Sequence, residues 1–224
     1  MHRAIEPAIH YRGTPVVLIS SLNEDGSTNL SPISSAWWLG WSCMLGLDAS
    51  SKTVENMCRA KACVLNLPSH AMATQVNGLA WTTGSRDLPM HKKLLGYRHE
   101  PDRFTRAGLT RAPLAASWPD AVAECPVQLE GEVVQVQPFA ATDARLPVAA
   151  VAVEVRLLRM HVEESLLVDG CPHRIYADRW HPMIMSFRHL FGRGDKLEKS
   201  SLAREPEEAY APWKQVEAPR RAWT

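Results

Sequence analysis

A chain of 224 residues with 46% hydrophobic content can bury a substantial core, and it fits one large domain or one domain with an extended arm. Its formal net charge is +1 with Lys and Arg scattered, which excludes the clustered basic excess that nucleic acid or an anionic membrane surface would call for. No apolar run approaches the roughly 20 residues needed to span a bilayer, and residues 1–7 lack the apolar core of a signal peptide. The five cysteines, odd in number and without a C-x-x-C pair, are expected to be free thiols, so a cytoplasmic location is expected.

Residues 15–20, PVVLIS, are rich in β-branched side chains and read as a strand. NEDG at 23–26 is a turn, because Asp25-Gly26 tolerates positive φ, and TNLS at 28–31 opens the second strand of a hairpin. Pro32, lacking an N–H, is expected to end the regular pairing. A small-residue loop, SPISSA at 31–36, leads into Trp37 and Trp38, whose side chains point to opposite faces if the segment is extended. CMLGL at 43–47 is a third strand. Ser50 or Ser51 then caps a short helix carrying Lys52 and Thr53 in its first turn, with Val54, Met57 and Cys58 forming its packing face. ACVLNL at 62–67 is a fourth strand, stopped by Pro68. So many strands around one short helix predict a mainly β protein, a closed antiparallel barrel with one crossover helix, rather than a doubly wound sheet.

Residues 70–120 read as helical and irregular, with Asp87 placed to cap a helix over 88–95 and Gly96 to stop it. Period-two alternation returns at 126–136, and 148–162 is a second long strand; together these close the barrel. Residues 179–192 mix aromatic, basic and apolar side chains. Beyond them Pro206, Pro212 and Pro219 punctuate a tail carrying Trp213 and Trp223, read as an arm that packs on a neighbouring subunit or back on its own barrel.

Two features carry chemistry. A helix N-terminus flanked by Ser50, Ser51, Lys52 and Thr53 offers free N–H groups, hydroxyls and a cation to a phosphate, without the glycines of a P-loop. The loop 31–36 can bring backbone donors and acceptors close to a flat ring such as an isoalloxazine. Taken singly, each has a plain alternative: an ordinary N-cap with a solvated lysine, and a pair of core tryptophans. The histidines form no metal-binding pattern, and there is no G-x-S-x-G, so neither a metal centre nor a serine hydrolase is expected.

The segments 23–47, Ser51-Lys52-Thr53-x-x-Asn56, 63–67, Glu124-Cys125-Pro126-Val127, Gly131-Glu132-Val133-Val134, Asp178-Arg179-Trp180-His181-Pro182 and Ser186-Phe187-Arg188-His189 resemble, in order, blocks of the flavin reductase-like, FMN-binding split-barrel family. The resemblance implies a Greek-key split β-barrel with helical additions over residues 1–202, a C-terminal arm over 203–224, and a homodimer binding FMN non-covalently near its interface. By position, Ser34, Ser35 and Ala36 with Trp37 beside them would meet the ring. Ser50, Ser51, Lys52 and Thr53 would hold the phosphate, Asn66 would lie near the ribityl chain, and Arg188 and His189 would enter from the second subunit. Many family members read Lys-Asp-Thr or Arg-x-Thr where this chain has Lys52-Thr53, so the clamp is expected to differ in detail. The implied activity is hydride transfer from NADH or NADPH through flavin N5 to free flavin or a small organic acceptor such as a nitroaromatic, with no obligate catalytic side chain. A partner monooxygenase taking reduced flavin is one variant. An electron carrier or redox sensor without nicotinamide turnover is the alternative.

Overall fold

The protein is described by a computed structural model over residues 1–146 and 148–200. The proposed C-terminal arm, 203–224, with its prolines and tryptophans, lies outside the described residues. After a short strand β1 (Arg12–Pro15), the first hairpin pairs β2 (Val17–Leu22) with β3 (Thr28–Ile33). Its turn is fixed by Asp25, whose Oδ1 accepts from the Ser27 N–H at 2.9 Å and the Ser27 hydroxyl at 2.6 Å, and by Gly26 at φ +81°. Pairing does not stop at Pro32: it continues through Leu18↔Pro32 to Val17↔Ile33. β3 is an edge strand, where a missing donor is tolerated.

β4 (Ala36–Leu39) and β5 (Ser42–Asp48) form a second hairpin, α1 (Lys52–Ala60) crosses over, and β6 (Ala62–Leu67) returns beside β2. Ser51 is the N-cap of α1, its Oγ accepting from the Val54 N–H at 3.2 Å. The buried face is Thr53, Val54, Asn56 and Met57; Cys58 is exposed, because the helix turns it away from the sheet. The following insertion carries α2 (Ala73–Gly78), β7 (Thr82–Thr83), α3 (Met90–Leu94), β8 (Arg98–His99), α4 (Arg103–Ala107), β9 (Arg111–Ala112) and β10 (Ala121–Val122). α3 is shorter than its sequence promises. Pro89, which lacks a side-chain capping bond, stands at its N-cap in place of Asp87, while Gly96 at φ +84° follows its end as expected. β11 (Val127–Phe139) and β12 (Ala150–Val162) make one long hairpin, and β13 (Leu167–Val168), β14 (Cys171–Ile175), β15 (Ile184–Ser186) and β16 (His189–Phe191) complete the chain.

The central sheet has seven strands in the order β3-β2-β6-β11-β12-β5-β4, all neighbours antiparallel. Its two edges, β3 and β4, are joined by Ser34 and Ser35 alone. Laid flat, seven strands would hold those edges about 29 Å apart. A connection of three peptide steps reaches only about 11 Å. The sheet therefore curls until its edges meet, a split barrel. The bend is eased where β11 shifts register between Glu130 and Gly131; a Cβ at Gly131 would lie 2.3 Å from Val155 Cγ1.

The barrel interior is filled by Val17, Ile19, Leu45, Leu65, Val153 and Val155 among others. A second core forms outside it, where Val16, Leu18 and Leu30 meet Val76, Leu79 and Phe104 of the insertion. β2 is thus buried on both faces, which explains its unbroken apolar run in place of alternation. Cys43, Cys63 and Cys125 are buried free thiols, and burial pushes Cys43 up to about 12 and raises Cys63 and Cys125 further. Among the described residues no helix is long and apolar enough to cross a membrane.

Candidate functional site

One cleft of about 1000 Å³ opens between the N-terminus of α1, the 34–35 connection and the insertion. Ser34 and Ser35 form its floor where the barrel edges meet. Gly46 packs against them: its N–H donates to Ser35 O at 2.7 Å, and a Cβ there would come within 3.2 Å of Ser35 Cβ. The loop is therefore held as shaped backbone, with small side chains that leave room for a flat ligand.

Ser51, Lys52 and Thr53 enter the cleft from the start of α1. The helix's first unbonded N–H groups and the positive end of its dipole face the same way. Lys52 is not a free cation. Its Nζ donates to both carboxylate oxygens of Glu24 at 2.9 Å and to Glu55 Oε1 at 2.7 Å, so its aliphatic stem lines the cleft while its charge is shared with two acids. Burial alone would lower the Lys52 pKa, but the Glu55 and Glu24 bonds raise it, and the Lys52 bond holds Glu24 down at about 2. Arg59 also approaches Glu24, at 4.0 Å, so the cluster is balanced overall.

Asn29, 4% exposed, lies beside the helix end. Its carboxamide bridges the Ser21 and Thr53 hydroxyls, each at 3.3 Å, and its Oδ1 has no partner. Rotated by 180°, the same amide would accept from both hydroxyls and present its NH2 at the helix N-terminus, the polarity a phosphate requires. Gly84 closes over this point; a Cβ there would lie 2.3 Å from Asn29 Oδ1 and 3.4 Å from Lys52 Cγ. An orphaned buried amide, a capped helix end and a glycine cover together fit the phosphate of a cofactor.

The opposite wall comes from the insertion. Arg103 is 5% exposed and donates to Thr82 Oγ1 at 3.1 Å, Thr82 O at 3.2 Å and Leu79 O at 3.4 Å. Burial pushes its guanidinium down to about 10, against the weaker opposing influence of Tyr97 and Glu100. Trp81, 54% exposed and at φ +60°, meets Tyr97 edge-on with centroids 5.5 Å apart. At the mouth, α3 is tied to β5 by Lys92 Nζ to Asp48 Oδ2 at 3.0 Å and His91 Nε2 to the same oxygen at 3.1 Å. Burial would raise the Asp48 pKa, but bonds from Ser50 and Lys92 hold it at about 2.

Of the residues singled out in the sequence, Ser34, Ser35, Ser51, Lys52, Thr53 and Arg188 line this cleft. Arg188 does so within its own chain, from a backbone at φ +70°. The others are placed elsewhere. The Ala36 side chain is in the barrel core, and Trp37 projects from the outer face at 57% exposure while Trp38 packs inward. Ser50 is exposed and turned to Asp48 Oδ1 at 2.7 Å. Asn66 is fully buried and fully used: its Nδ2 donates to Leu18 O at 2.9 Å and Ser20 Oγ at 3.0 Å, and its Oδ1 accepts from the Val122 N–H at 2.8 Å. It bolts the insertion to the barrel. His189 is exposed on β16, outside the cleft. Sequence reasoning missed Asn29, Gly84, Trp81, Tyr97 and Arg103. Only Gly84, an isolated glycine between polar residues, left a local signal.

Comparison with known proteins gives a consistent picture. Residues 10–172 match the family described as the flavin reductase like domain. The uncharacterized protein YdfE of Bacillus subtilis (strain 168) is 36% identical over 201 residues, 88% of this chain and 92% of that protein. Among solved structures, flavoredoxin of Desulfovibrio vulgaris (Miyazaki F) superposes with a TM-score of 0.71 at 18% identity, over 92% of this chain and all of that one. The 2-nitrobenzoate 2-nitroreductase NbaA of Pseudomonas fluorescens gives 0.66 at 16% identity, covering 89% of each chain. Nitrilotriacetate monooxygenase component B of Bacillus cereus gives 0.65 at 19%, covering 86% and 89%. At these identities the structural likeness is one of fold.

Proposed function

Because the chain belongs to the flavin reductase-like family, we propose that it is an FMN-dependent oxidoreductase, passing hydride from NADH or NADPH to free flavin or a small organic acceptor such as a nitroaromatic. The observation that carries the reading is that the α1 N-terminus and the 34–35 connection open onto one cleft. In this reading the phosphate sits on the first N–H groups of α1, the Ser51 and Thr53 hydroxyls and the Asn29 amide. The backbone of Ser34 and Ser35 meets the ring edge. FMN supplies the hydride chemistry at its N5 position; the protein holds and orients it. Asn66, Ser50 and the Ala36 side chain act indirectly, by fixing the segments that do the binding. Arg188, which lines the cleft, would add a cation to it, and no side chain is required as acid or base for the hydride step.

The same reading includes a homodimer in the cytoplasm. Its support is an outer apolar patch in which Leu39 (76% exposed), Trp41 and Leu158 lie along neighbouring strand ends, with Trp37 and Met160 beside them. A face of this composition is what a subunit interface covers. A partner monooxygenase taking reduced flavin is a variant of the reading.

The test is direct. The purified protein should be yellow, or turn so on adding FMN, and anaerobic NADH or NADPH should bleach it. A protein that takes up no FMN sinks the proposal; one that takes it up and is never bleached is an electron carrier or sensor instead.

A further inference from the structure

The cations of the cleft are not equivalent. Lys52 shares its charge with Glu24 and Glu55, Lys92 is paired with Asp48, and Arg188 is exposed to solvent. Arg103, more buried than either by whole-residue exposure, has no carboxylate within ion-pair distance among the described residues. Its three bonds go to neutral oxygens, and Nη1 has no hydrogen-bond partner among the described residues. Burying a cation is costly, and Glu100 acts on this one only from beyond ion-pair distance, so the guanidinium can still gain from a closer anion. The placement is specific. Nη2 donates to both Leu79 O and Thr82 O, the two carbonyls that bracket Trp81.

Trp81 is the second observation. A half-exposed tryptophan in the left-handed region is unfavourable twice over, in backbone and in hydration. With Tyr97 edge-on beside it, it makes an aromatic wall whose position relative to the guanidinium is set by Arg103 itself. The cleft volume, about 1000 Å³, stands at the top of the usual range for a small-molecule site, so it has room for a planar ligand beside a cofactor.

We propose that the Trp81–Tyr97–Arg103 wall binds a small aromatic acid, its ring against the two aromatic side chains and its carboxylate on the Arg103 guanidinium. Identifying that acid as the acceptor rests on the flavin reading; the binding site itself does not. A carboxylate on Arg103 forms an ion pair in which both partners are charged, which a neutral amide of the same shape cannot do.

The experiment uses the FMN-loaded protein, with benzoate and benzamide as probes and tryptophan fluorescence or calorimetry as readout. Benzoate should bind about tenfold or more tighter than benzamide. Arg103→Gln should erase that preference, Arg103→Lys should restore part of it, and Trp81→Ala should weaken both ligands. FMN affinity, measured separately, should stay within about twofold in each variant. Equal binding of the two probes, or no benzoate binding up to millimolar concentration, overturns the proposal. Either result is read on the unaltered chain, so it stands even if Arg103→Gln fails to fold. Repeating the titration without FMN separates the two readings. Benzoate preference in a protein that takes up no FMN sinks the cofactor assignment alone, and FMN uptake without that preference sinks this one alone.

Discussion

Gly84→Ala probes the proposed cofactor cradle with a single methyl group. Gly84 does not occupy the left-handed region, so the penalty is the contact itself: 2.3 Å from the new Cβ to Asn29 Oδ1, 3.2 Å to Asn29 Cγ and 3.4 Å to Lys52 Cγ. The amide cannot swing away freely, because Asn29 is 4% exposed and held between the Ser21 and Thr53 hydroxyls. If the side chain yields, two neutral hydrogen bonds are lost at about 1 kcal/mol each, and overpacking adds about 1–2 kcal/mol. Stability should therefore fall by roughly 3 kcal/mol. If the 82–84 segment lifts instead, the fall is smaller, but the cover moves off the helix end. Either way FMN affinity should drop about tenfold or more, the equivalent of 1.4 kcal/mol. Urea denaturation gives the first quantity and quenching of FMN fluorescence gives the second. Gly194→Ala, with nothing within 4 Å of its new Cβ, is the control. A Gly84→Ala protein with the parent's midpoint and the parent's FMN affinity would show that the phosphate cradle is not where Asn29 and Lys52 meet.

Glu24→Gln should tighten FMN binding about threefold at low ionic strength, with the gain fading in high salt, because it returns part of the Lys52 charge to the cleft and removes a like charge from the phosphate's surroundings. A fluorescence titration at two salt concentrations checks this, and weaker binding would mean that Glu24 serves to aim Lys52. Asn66→Leu should cost about 3 kcal/mol, since it leaves the Val122 N–H and the side-chain bond to Leu18 O unmade, yet leave FMN affinity per folded molecule unchanged. Asp48→Asn tests the tie to α3. A carboxylate held at about 2 in the fold, against 3.8 in the open chain, stabilises above the higher value and loses its contribution as pH falls through the lower one. After allowance for solvent screening, the variant should lose about 1 kcal/mol at pH 7, with the gap closing between about pH 4 and 2 in urea midpoints. Leu39→Glu, on the outer apolar patch, should give a monomer by light scattering if that patch is the subunit interface.

The sequence made the barrel legible because its strands are local. The NEDG turn, the Ser51 cap and the alternation of 126–136 each announce an element within a few residues, and β6 lies at 62–67 as read. What misled was local too. Pro32 reads as a terminator until the strand is known to be an edge, and Cys58 reads as core until the orientation of α1 is fixed by Thr53 and Asn56, polar residues buried through hydrogen bonds to Asn29 and to Ser21 and Asn23. Asn66 illustrates the limit. Its type fits a ribityl contact as well as a structural bolt, and the bond that ties it to the insertion comes from Val122, 56 positions away.

The two walls of the cleft also differ in how the chain builds them. The proposed cofactor wall comes from residues 29–53, a nearly continuous run in which hairpin, loop, strand and helix cap follow one another, so its parts are visible as a spacing. The proposed acceptor wall joins Trp81, Tyr97 and Arg103 through the parallel pairing of β7 with β8, two residues each, and through one guanidinium reaching back to Leu79 and Thr82. No periodicity signals such a junction. The same difference bears on specificity. In the proposed reading, changes at Trp81, Tyr97 or Arg103 can reshape the acceptor wall without touching Ser51, Thr53 or Asn29, because the cradle beneath Gly84 is anchored to the barrel. If both proposals hold, cofactor affinity and acceptor preference are separable in this chain, and substitutions at Trp81 and Arg103 should move the second while leaving the first in place.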